Sequence, residues 1–175
     1  MTVTLRKLEE FDLSWIAELY SHSHVMKGLL WDDRTPSTSE IRDRLTAAEA
    51  GCWTDAFAIL SDLEPVGTVT LSDIHPIHRR GTITNLAAFK GHMVGLAAGE
   101  LVLDYAFNTL GLNRVDCRVW ESNSVTPLLC RRIGASRDGI IRQAVYRDGR
   151  FIDLAVWSLL REEYGIRTTA NGQPA

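Results

Sequence analysis

The chain has 175 residues, of which 45% are hydrophobic and 23% charged, and its formal net charge is −3. This composition is typical of one soluble globular domain, and a domain of this size can bury enough surface to fold without disulfides or metal ions. Acidic and basic residues are interspersed, so the sequence predicts no strongly positive surface that would bind nucleic acid, and we expect no nucleic-acid partner.

The first residues and the cysteines indicate a compartment. Charged residues stand where a secretory signal would need its apolar core, and no later apolar run is long enough to cross a bilayer. We therefore expect a cytoplasmic protein without a membrane partner. The three cysteines, Cys52, Cys117 and Cys130, form no Cys-x-x-Cys pair, which favours reduced thiols over a disulfide framework or a zinc site.

The first part of the chain predicts one strand and two helices. Residues 2–8 alternate with a period of two, as in a strand, and residues 13–20 have helical spacing with Asp12 as the predicted N-cap. The segment Ser37–Glu40 fits a capping box, which opens a second helix over residues 38–50.

The middle of the chain changes from strands to a helix. Residues 57–60, 66–71 and 82–88 are strand-like, and the polar segment between the first two predicts a hairpin. Residues 95–110 then place apolar side chains on one helical stripe, and Gly111 is suited to end that helix.

The last third returns to strands. Residues 115–119 alternate, residues 124–132 predict a short helix, and the Asp148-Gly149 pair predicts a tight hairpin turn followed by a strand over residues 152–156. The small and polar residues 167–175 predict a disordered tail.

The order of elements, β-αα-βββ-α-β-α-ββ, predicts an α/β fold in a single domain over residues 1–166. Three consecutive antiparallel strands followed by strand-helix alternation are typical of a mixed sheet with helices on both faces.

This order and several segments resemble the GNAT family of CoA-dependent N-acetyltransferases over residues 2–164. The segments similar to bacterial spermidine N-acetyltransferases are 69–79, 103–107 and 112–115. The segments similar to ribosomal-protein N-terminal acetyltransferases are 123–124, 132–134, 138–142, 148–149 and 153. The resemblance implies a mostly antiparallel GNAT sheet of six or seven strands, acetyl-CoA as co-substrate, an amine acceptor and, commonly, a homodimer.

The family's signature is a loop before a helix with the motif Gln/Arg-x-x-Gly-x-Gly/Ala. It is similar to His92-Met-Val-Gly95-Leu-Ala97. Small residues let backbone amides approach the CoA diphosphate, and a helix N-terminus favours an anion there. Gly95 and Ala97 fit this pattern and His92 departs from it.

The resemblance also implies which residues bind the cofactor. The expected residues are Leu86, Ala87, Ala88, His92, Met93, Val94, Gly95, Leu96, Ala97 and Asn123. Asn123 follows the 115–119 strand, where the family implies a contact to the pantetheine arm. Asparagine is also a good helix N-cap, and the two roles are compatible.

Two residues are candidates for proton transfer. Cys130 stands where the spermidine branch has a proton-donating tyrosine, and a thiol could protonate the CoA thiolate, or it could be only a small buried hydrophobe. Asp73 ends the 66–71 strand and could accept the amine proton through a water, or it could cap the turn that follows.

The acceptor pocket is expected in the loop after the first helix and near the turn after Asp73. The candidate substrate-binding residues are His22, His24, Trp31 and His75. The histidines stand in no known ligand pattern with Cys or carboxylates, so we expect no metal site.

Two functions from different classes follow. The first is an acetyl-CoA-dependent N-acetyltransferase that acts on a small, polyamine-like or antibiotic-like amine or on a peptide N-terminus. The second is a GNAT-fold module that binds CoA or another ligand with little or no turnover. His92 and Cys130 favour the second function, whereas Gly95, Ala97 and Asn123 favour the first.

Overall fold

The computed structural model describes residues 1–29, 36–46, 51–89 and 92–170. Its strands are β1 (Val3–Lys7), β2 (Trp53–Ser61), β3 (Glu64–His75), β4 (Arg80–Ala88), β5 (Arg114–Trp120), β6 (Ser136–Arg147) and β7 (Arg150–Leu160). Its helices are α1 (Leu13–Leu19), α2 (Ser23–Met26), α3 (Thr38–Thr46), α4 (His92–Asp104), α5 (Thr126–Arg132) and α6 (Arg161–Ala170). A 3-10 turn (Glu10–Asp12) precedes α1, and a π-helical segment (Tyr105–Thr109) continues α4.

The seven strands form one sheet in the order β1-β2-β3-β4-β5-β7-β6. Every neighbouring pair is antiparallel except β4 and β5, which are parallel. The prediction of a mixed, mostly antiparallel sheet of six or seven strands is confirmed.

Helices cover both faces of the sheet. Neighbouring residues of one strand show this, since successive side chains point to opposite sides. On β4, Leu86 packs against the core cluster that contains α4, whereas its neighbour Ala87 belongs to the cluster built from α1, α2 and α3. On β2, Phe57 belongs to the cluster that contains α4, and Ala56 packs against the cluster built from α1, α2 and α3. The sheet is therefore the middle layer of three.

The irregularity that positions the site lies in β4. Thr70 pairs with Asn85 while the next residue of β3, Leu71, pairs with Ile83, so Thr84 is an extra residue opposite β3. A bulge of this kind bends a strand and increases its local twist. On the other side of β4, pairing with β5 ends at Ile83 and Cys117, and the two parallel strands separate beyond that point.

Several element boundaries differ from those predicted. The helix predicted over 95–110 begins at His92, and its last turns are π-helical. Helix α3 keeps the predicted start, with the Ser37 amide donating to Glu40 at 2.8 Å, and residues 47–50 lie outside the described residues. The short helix α2 was not predicted. Helix α6 ends at Ala170, inside the segment predicted as a tail, and residues 171–175 lie outside the described residues.

Asp12 does not cap α1 with its side chain, contrary to prediction. The buried carboxylate instead accepts hydrogen bonds from the Arg6 guanidinium at 2.7 and 3.0 Å, from the Glu9 amide at 2.9 Å and from the Trp15 indole at 2.9 Å. The Arg6 guanidinium on β1 lies within hydrogen-bond distance of this carboxylate and offers it two N–H donors in a fixed geometry. Asp12 therefore joins β1 to the start of α1.

Among the described residues, no helix combines the length and the apolar character needed to span a membrane.

Candidate functional site

A cavity that is open to solvent lies where β4 and β5 separate, with about 780 Å³ of empty space that includes the adjoining solvent. Its described lining comes from the segment after α2, from β4, α4 and β5, from the loop after β5, and from α5 with the residue after it. The polar or small residues of this lining are Gly28, Thr84, Asn85, Gly95, Gly99, Cys117, Arg118, Asn123, Thr126 and Cys130. The remainder is apolar: Leu29, Ile83, Leu86, Leu96, Val119, Leu129 and Ile133.

The wall formed by α4 depends on glycines. Gly95 and Gly99 are one helical turn apart and both line the cavity. A Cβ atom at Gly95 would lie 3.2 Å from a methyl carbon of Leu86, and one at Gly99 would lie 3.9 Å from the other methyl carbon. The two glycines let α4 lie close to β4, and at their positions no side chain occupies the cavity wall.

The opposite wall carries two thiols. Cys130 on α5 is 3% exposed, and its sulfur lies 3.8 Å from the sulfur of Cys117 on β5. Donation from the Cys117 S–H lowers the pKa of Cys130, while burial acts in the opposite direction. The same hydrogen bond, together with burial, raises the pKa of Cys117. The pair can therefore lose one proton more readily than two.

A buried polar network meets the cavity at Asn85. The carboxamide nitrogen of Asn85 donates to the Thr68 hydroxyl at 3.1 Å and to the Tyr20 hydroxyl. Burial raises the pKa of Tyr20 to about 12, although its hydrogen bonds with Thr68 and Asn85 act to lower it. The carboxamide oxygen of Asn85 is buried and has no hydrogen-bond partner in the described part of the chain. Asn85 as a residue lines the cavity, and its side-chain oxygen is an acceptor with unused capacity.

Asn123 lies in the loop between β5 and α5. Its side-chain oxygen accepts hydrogen bonds from the amides of Val125 and Thr126, both at 2.9 Å, at the start of α5. It also lines the cavity. The amide nitrogen is the other hydrogen-bonding group of this side chain, and it could donate to a ligand carbonyl.

A second groove adjoins the cavity and shares Gly28, Asn123 and Thr126 with it. Its wall includes His24 on α2 and Trp120 at the end of β5. The indole nitrogen of Trp120 donates to the Leu29 carbonyl at 3.2 Å, which joins the segment after α2 to β5.

Arg147, near the β6–β7 turn, also lines this groove. Its guanidinium lies 5.2 Å from the Trp120 ring centroid and donates to the Leu29 carbonyl at 3.3 Å. The sheet, α2 and the β6–β7 hairpin are therefore joined at this groove.

The structure brings together only part of the predicted site. Leu86, Gly95, Leu96, Asn123 and Cys130 line the cavity, and His24 lines the adjoining groove. His22 lies with its ring edge-on to Phe89 at 5.2 Å and tilted against His24 at 5.5 Å.

The other predicted cofactor residues have different surroundings. The side chains of Ala87 and Val94 are buried in the cores on either face of the sheet, and Ala88 is partly buried against the core that contains α4. Ala97 lies on α4 and is absent from the described cavity lining. His92 and Met93 form the first turn of α4, and their side chains, like all of Trp31, lie outside the description.

Asp73 and His75 are not near the cavity, in contrast to the prediction. Strand β3 continues past residue 71, and its register places His75 opposite Arg80, at the end of β4 where β4 and β5 are still paired. Asp73 adopts a positive φ of 52° at an irregularity there, and His75 accepts a hydrogen bond from the His78 amide at 3.2 Å. Their placement does not support roles in proton transfer or substrate binding.

Sequence reasoning missed Cys117, Gly99 and Trp120, and for Asn85 it expected only backbone contacts to the pantetheine, as the family resemblance implies. The alternation of residues 115–119 placed Cys117 on one face of a strand, and the four-residue spacing of Gly95 and Gly99 placed both on one face of a helix. Neither pattern showed that this face borders a cavity.

The described lining of the cavity contains no carboxylate and no imidazole. Within the described ranges, no three His, Cys, Asp or Glu side chains are grouped as metal ligands. Among the described lining residues, proton transfer at this cavity is therefore limited to the thiols, the Thr hydroxyls and water.

Comparisons with known proteins agree with this geometry. The family model of the acetyltransferase (GNAT) domain matches residues 2–136. YdaF of Bacillus subtilis, whose name provisionally assigns it to the ribosomal N-acetyltransferases, is 27% identical over 174 residues, covering 93% of each chain. The spermidine N(1)-acetyltransferase of Escherichia coli K12 is 23% identical, covering 98% of this chain and 93% of the relative.

A solved structure of the spermidine N-acetyltransferase from Vibrio cholerae, in complex with CoA and spermine, has the same fold. It superposes with a TM-score of 0.79 at 22% identity and covers 93% of this chain and 97% of that one.

Proposed function

The chain belongs to the GNAT family of acetyltransferases and uses acetyl-CoA to acetylate an amine, and we propose that its own residues carry out this transfer at the cavity between β4 and β5. The single observation that supports the location is the parallel pair that ends at Ile83 and Cys117. Beyond it, the edge of β4 faces a cavity instead of a neighbouring strand, so its backbone groups can bind a ligand with amide groups, as pantetheine has.

In this proposal the cofactor's phosphates bind at the start of α4. This helix has 13 residues, and its first amides have no partner within the helix, so they attract an anion regardless of the side chain at position 92. Gly95 keeps the approach open, and Asn123 supplies an amide nitrogen on the other wall. Acetyl-CoA supplies the activated acetyl group, and these residues hold and orient it.

Cys130 is the proposed proton donor. When the acetyl carbon is transferred, the thiol of CoA leaves as a thiolate that needs a proton, and the Cys130 S–H supplies it. The lowered pKa of Cys130 makes this donation to an ordinary thiolate favourable, and the Cys117 S–H stabilises the Cys130 thiolate that results. Cys130 regains its proton from the protonated nitrogen of the newly acetylated amine or from water.

The amine binds beside Asn85 in this proposal. Leaving a buried acceptor unsatisfied costs about 1 to 3 kcal/mol, so an N–H donor that reaches the Asn85 oxygen is favoured over an apolar group. The largely apolar lining and the cation of Arg118 both favour the neutral form of a bound amine. The amine therefore reacts as a free base, with no carboxylate of the described lining needed to deprotonate it.

The proposed acceptor is a primary amine of a polyamine or of a peptide N-terminus. The names of the relatives from Escherichia coli and Bacillus subtilis support these two classes. The groove that contains His24 and Trp120 joins the cavity at Asn123, and it offers room for the rest of the acceptor. A cytoplasmic location and a homodimer, common in this family, remain predictions.

Two measurements test the proposal. Calorimetric titration with acetyl-CoA should give a dissociation constant in the micromolar range, and mass spectrometry should then detect an acetyl adduct on spermidine or on a peptide with a free N-terminus. Binding of acetyl-CoA without transfer to either amine would instead support a CoA-binding module.

A matched pair of glycine variants tests the location. Gly95→Val fills the space beside Leu86, where even a Cβ atom lies 3.2 Å from a methyl carbon, so it should weaken acetyl-CoA binding about tenfold or more. Gly139→Val is the control, because no atom lies within 4 Å of a Cβ atom at Gly139. Equal affinities for the two variants would place the cofactor elsewhere.

A further inference from the structure

Two of the three cysteines are neighbours in space although 13 residues separate them in the chain. The sulfurs of Cys117 and Cys130 are 3.8 Å apart, and a disulfide bond needs about 2.05 Å. The two sulfurs would have to approach each other by less than 2 Å for the bond to form. The third cysteine, Cys52, lies just before β2 and does not line this cavity.

The position of the pair distinguishes it from cysteines that only fill a core. Both sulfur-bearing residues line the cavity between β4 and β5, so small solutes that enter the cavity reach them. Cys130 is otherwise enclosed, since its side chain packs with Val119, Ala155 and Trp157. Access is therefore restricted to reagents small or slender enough to enter the cavity.

The chemical state of the pair suits thiol-disulfide exchange. The thiolate is the reactive form of cysteine, and exchange needs one sulfur to attack and a second to displace the mixed disulfide. The Cys117 S–H favours the thiolate of Cys130, and Cys117 then lies beside the sulfur that it would have to attack. An attacking and a resolving thiol are thus present together.

We propose that Cys117 and Cys130 form a reversible modification site, a dithiol that low-molecular-weight disulfides entering the cavity oxidise to an intramolecular disulfide. The Cys130 thiolate attacks one sulfur of the small disulfide, forming a mixed disulfide and releasing one thiolate. The Cys117 thiolate then attacks the Cys130 sulfur and releases the second. The two cysteines lose two electrons and two protons, and the small disulfide becomes two thiols.

The modification has a consequence for the transfer reaction that rests on the proposed role of Cys130. A disulfide removes the S–H that would protonate the CoA thiolate, and it ties β5 to α5 across the cavity wall. Oxidation should therefore lower acetyl transfer about 100-fold, as loss of a general acid does, and reduction with dithiothreitol should restore it.

The test uses cystamine, the disulfide of cysteamine, because it is small and flexible. The native protein is treated with cystamine, then unfolded, alkylated with iodoacetamide and analysed by intact mass and by peptide mapping. The expected result is a fall from three alkylated thiols to one, Cys52, with a disulfide-linked pair of peptides that contain Cys117 and Cys130. Three alkylated thiols after treatment, or oxidation of Cys52 at the same rate, would overturn the proposal.

Variants complete the test. Cys52→Ala should still lose two thiols, whereas Cys117→Ala should stop at a single cysteamine adduct on Cys130, since no resolving thiol remains. Cys117→Ser serves the same purpose if the alanine variant does not fold. Retention of both thiols in Cys52→Ala would also contradict the proposal.

Thiol counting does not depend on acetyl transfer, so the two proposals can fail separately. A disulfide that forms without changing transfer would leave the modification site in place and remove Cys130 from the mechanism.

Discussion

Two groups of buried polar residues in this protein differ in how completely their hydrogen bonds are satisfied. At the junction of β1 and α1, the Asp12 carboxylate accepts four hydrogen bonds, two of them from Arg6. At the separation of β4 and β5, the Asn85 oxygen has no partner in the described part of the chain, and the Cys117–Cys130 pair rests on one weak contact between sulfurs.

The difference indicates what each group is for. Removing one partner of a buried, fully hydrogen-bonded charge destabilises the fold, because the remaining groups are left unsatisfied. A buried acceptor without a hydrogen-bond partner destabilises the fold unless another molecule donates a hydrogen bond to it. Where such an acceptor borders a cavity, a ligand is the group that can do so. Stability is therefore expected to depend on Asp12, and catalysis on Asn85 and Cys130.

The largest expected effect is on catalysis. Cys130→Ala removes the proposed proton donor, and kcat should fall about 100-fold, equivalent to about 2.7 kcal/mol in the barrier. Steady-state kinetics with acetyl-CoA and a saturating amine measures the change. The matched control is Cys52→Ala, a thiol outside the cavity lining, which should leave kcat unaltered. An unchanged kcat in Cys130→Ala would leave only a packing role for this thiol.

The next effect is on stability. Asp12→Asn replaces a buried carboxylate that accepts from Arg6, the Glu9 amide and Trp15, and the free energy of unfolding should fall by about 2 kcal/mol. Urea denaturation followed by fluorescence measures it. Glu10→Gln is the control, since its partner Arg42 and Glu10 itself are both exposed, and exposed ion pairs contribute little. The affinity for acetyl-CoA should be the same in both variants, and a loss of affinity in Asp12→Asn would break the contrast between the two groups.

A smaller effect is expected on acceptor binding. Asn85→Leu removes the unsatisfied oxygen, so KM for the amine should rise about tenfold while the unfolding free energy changes by less than about 1 kcal/mol. The Tyr20 and Thr68 hydroxyls, 2.9 Å apart, can still bond to each other. Kinetics at varied amine concentration, with the exposed Asn108→Leu as control, separates KM from kcat. An unchanged KM would show that the amine does not contact Asn85.

The smallest expected effect is on the pH dependence of stability. Burial alone would raise the pKa of Asp12, but its hydrogen bonds to Arg6, Glu9 and Trp15 outweigh burial and lower it. A lowered pKa contributes stability that is present above the unfolded-state pKa, about 3.9, and is lost as pH falls through the folded-state pKa. The stability difference between the wild type and Asp12→Asn should therefore shrink below about pH 4. A difference that stays constant from pH 6 to pH 3 would mean that the ionised form of Asp12 is not what stabilises the fold.

The order of the seven strands and of helices α1, α3, α4 and α5 could be predicted because it depends on local spacing, whereas α2 and α6 were not predicted. Alternation over residues 2–8 and helical spacing in the 95–110 segment each reflect the geometry of a single element. Boundaries were less accurate where neighbours decided them. Strand β3 continues to His75 because β4 pairs with it up to Arg80, and this extension moved Asp73 and His75 away from the predicted cleft.

The candidate site was predictable only where a local pattern accompanied it. Gly95 and Asn123 belong to a strand–loop–helix and a strand–loop pattern, and both line the cavity. Asn85 gave no such signal, because its significance depends on the Tyr20 and Thr68 hydroxyls, 65 and 17 residues away along the chain.

The sequence by itself determined the fold class, the family resemblance and the residue types available for chemistry, since these depend on spacing and composition along one chain. Only the tertiary structure decided which of those residues meet. The bulge at Thr84 and the end of β4–β5 pairing at Cys117 open the cavity, and the packing of α5 on β5 brings two sulfurs to 3.8 Å. Contacts between distant segments follow from how elements pack together, and periodicity within one element does not contain that information.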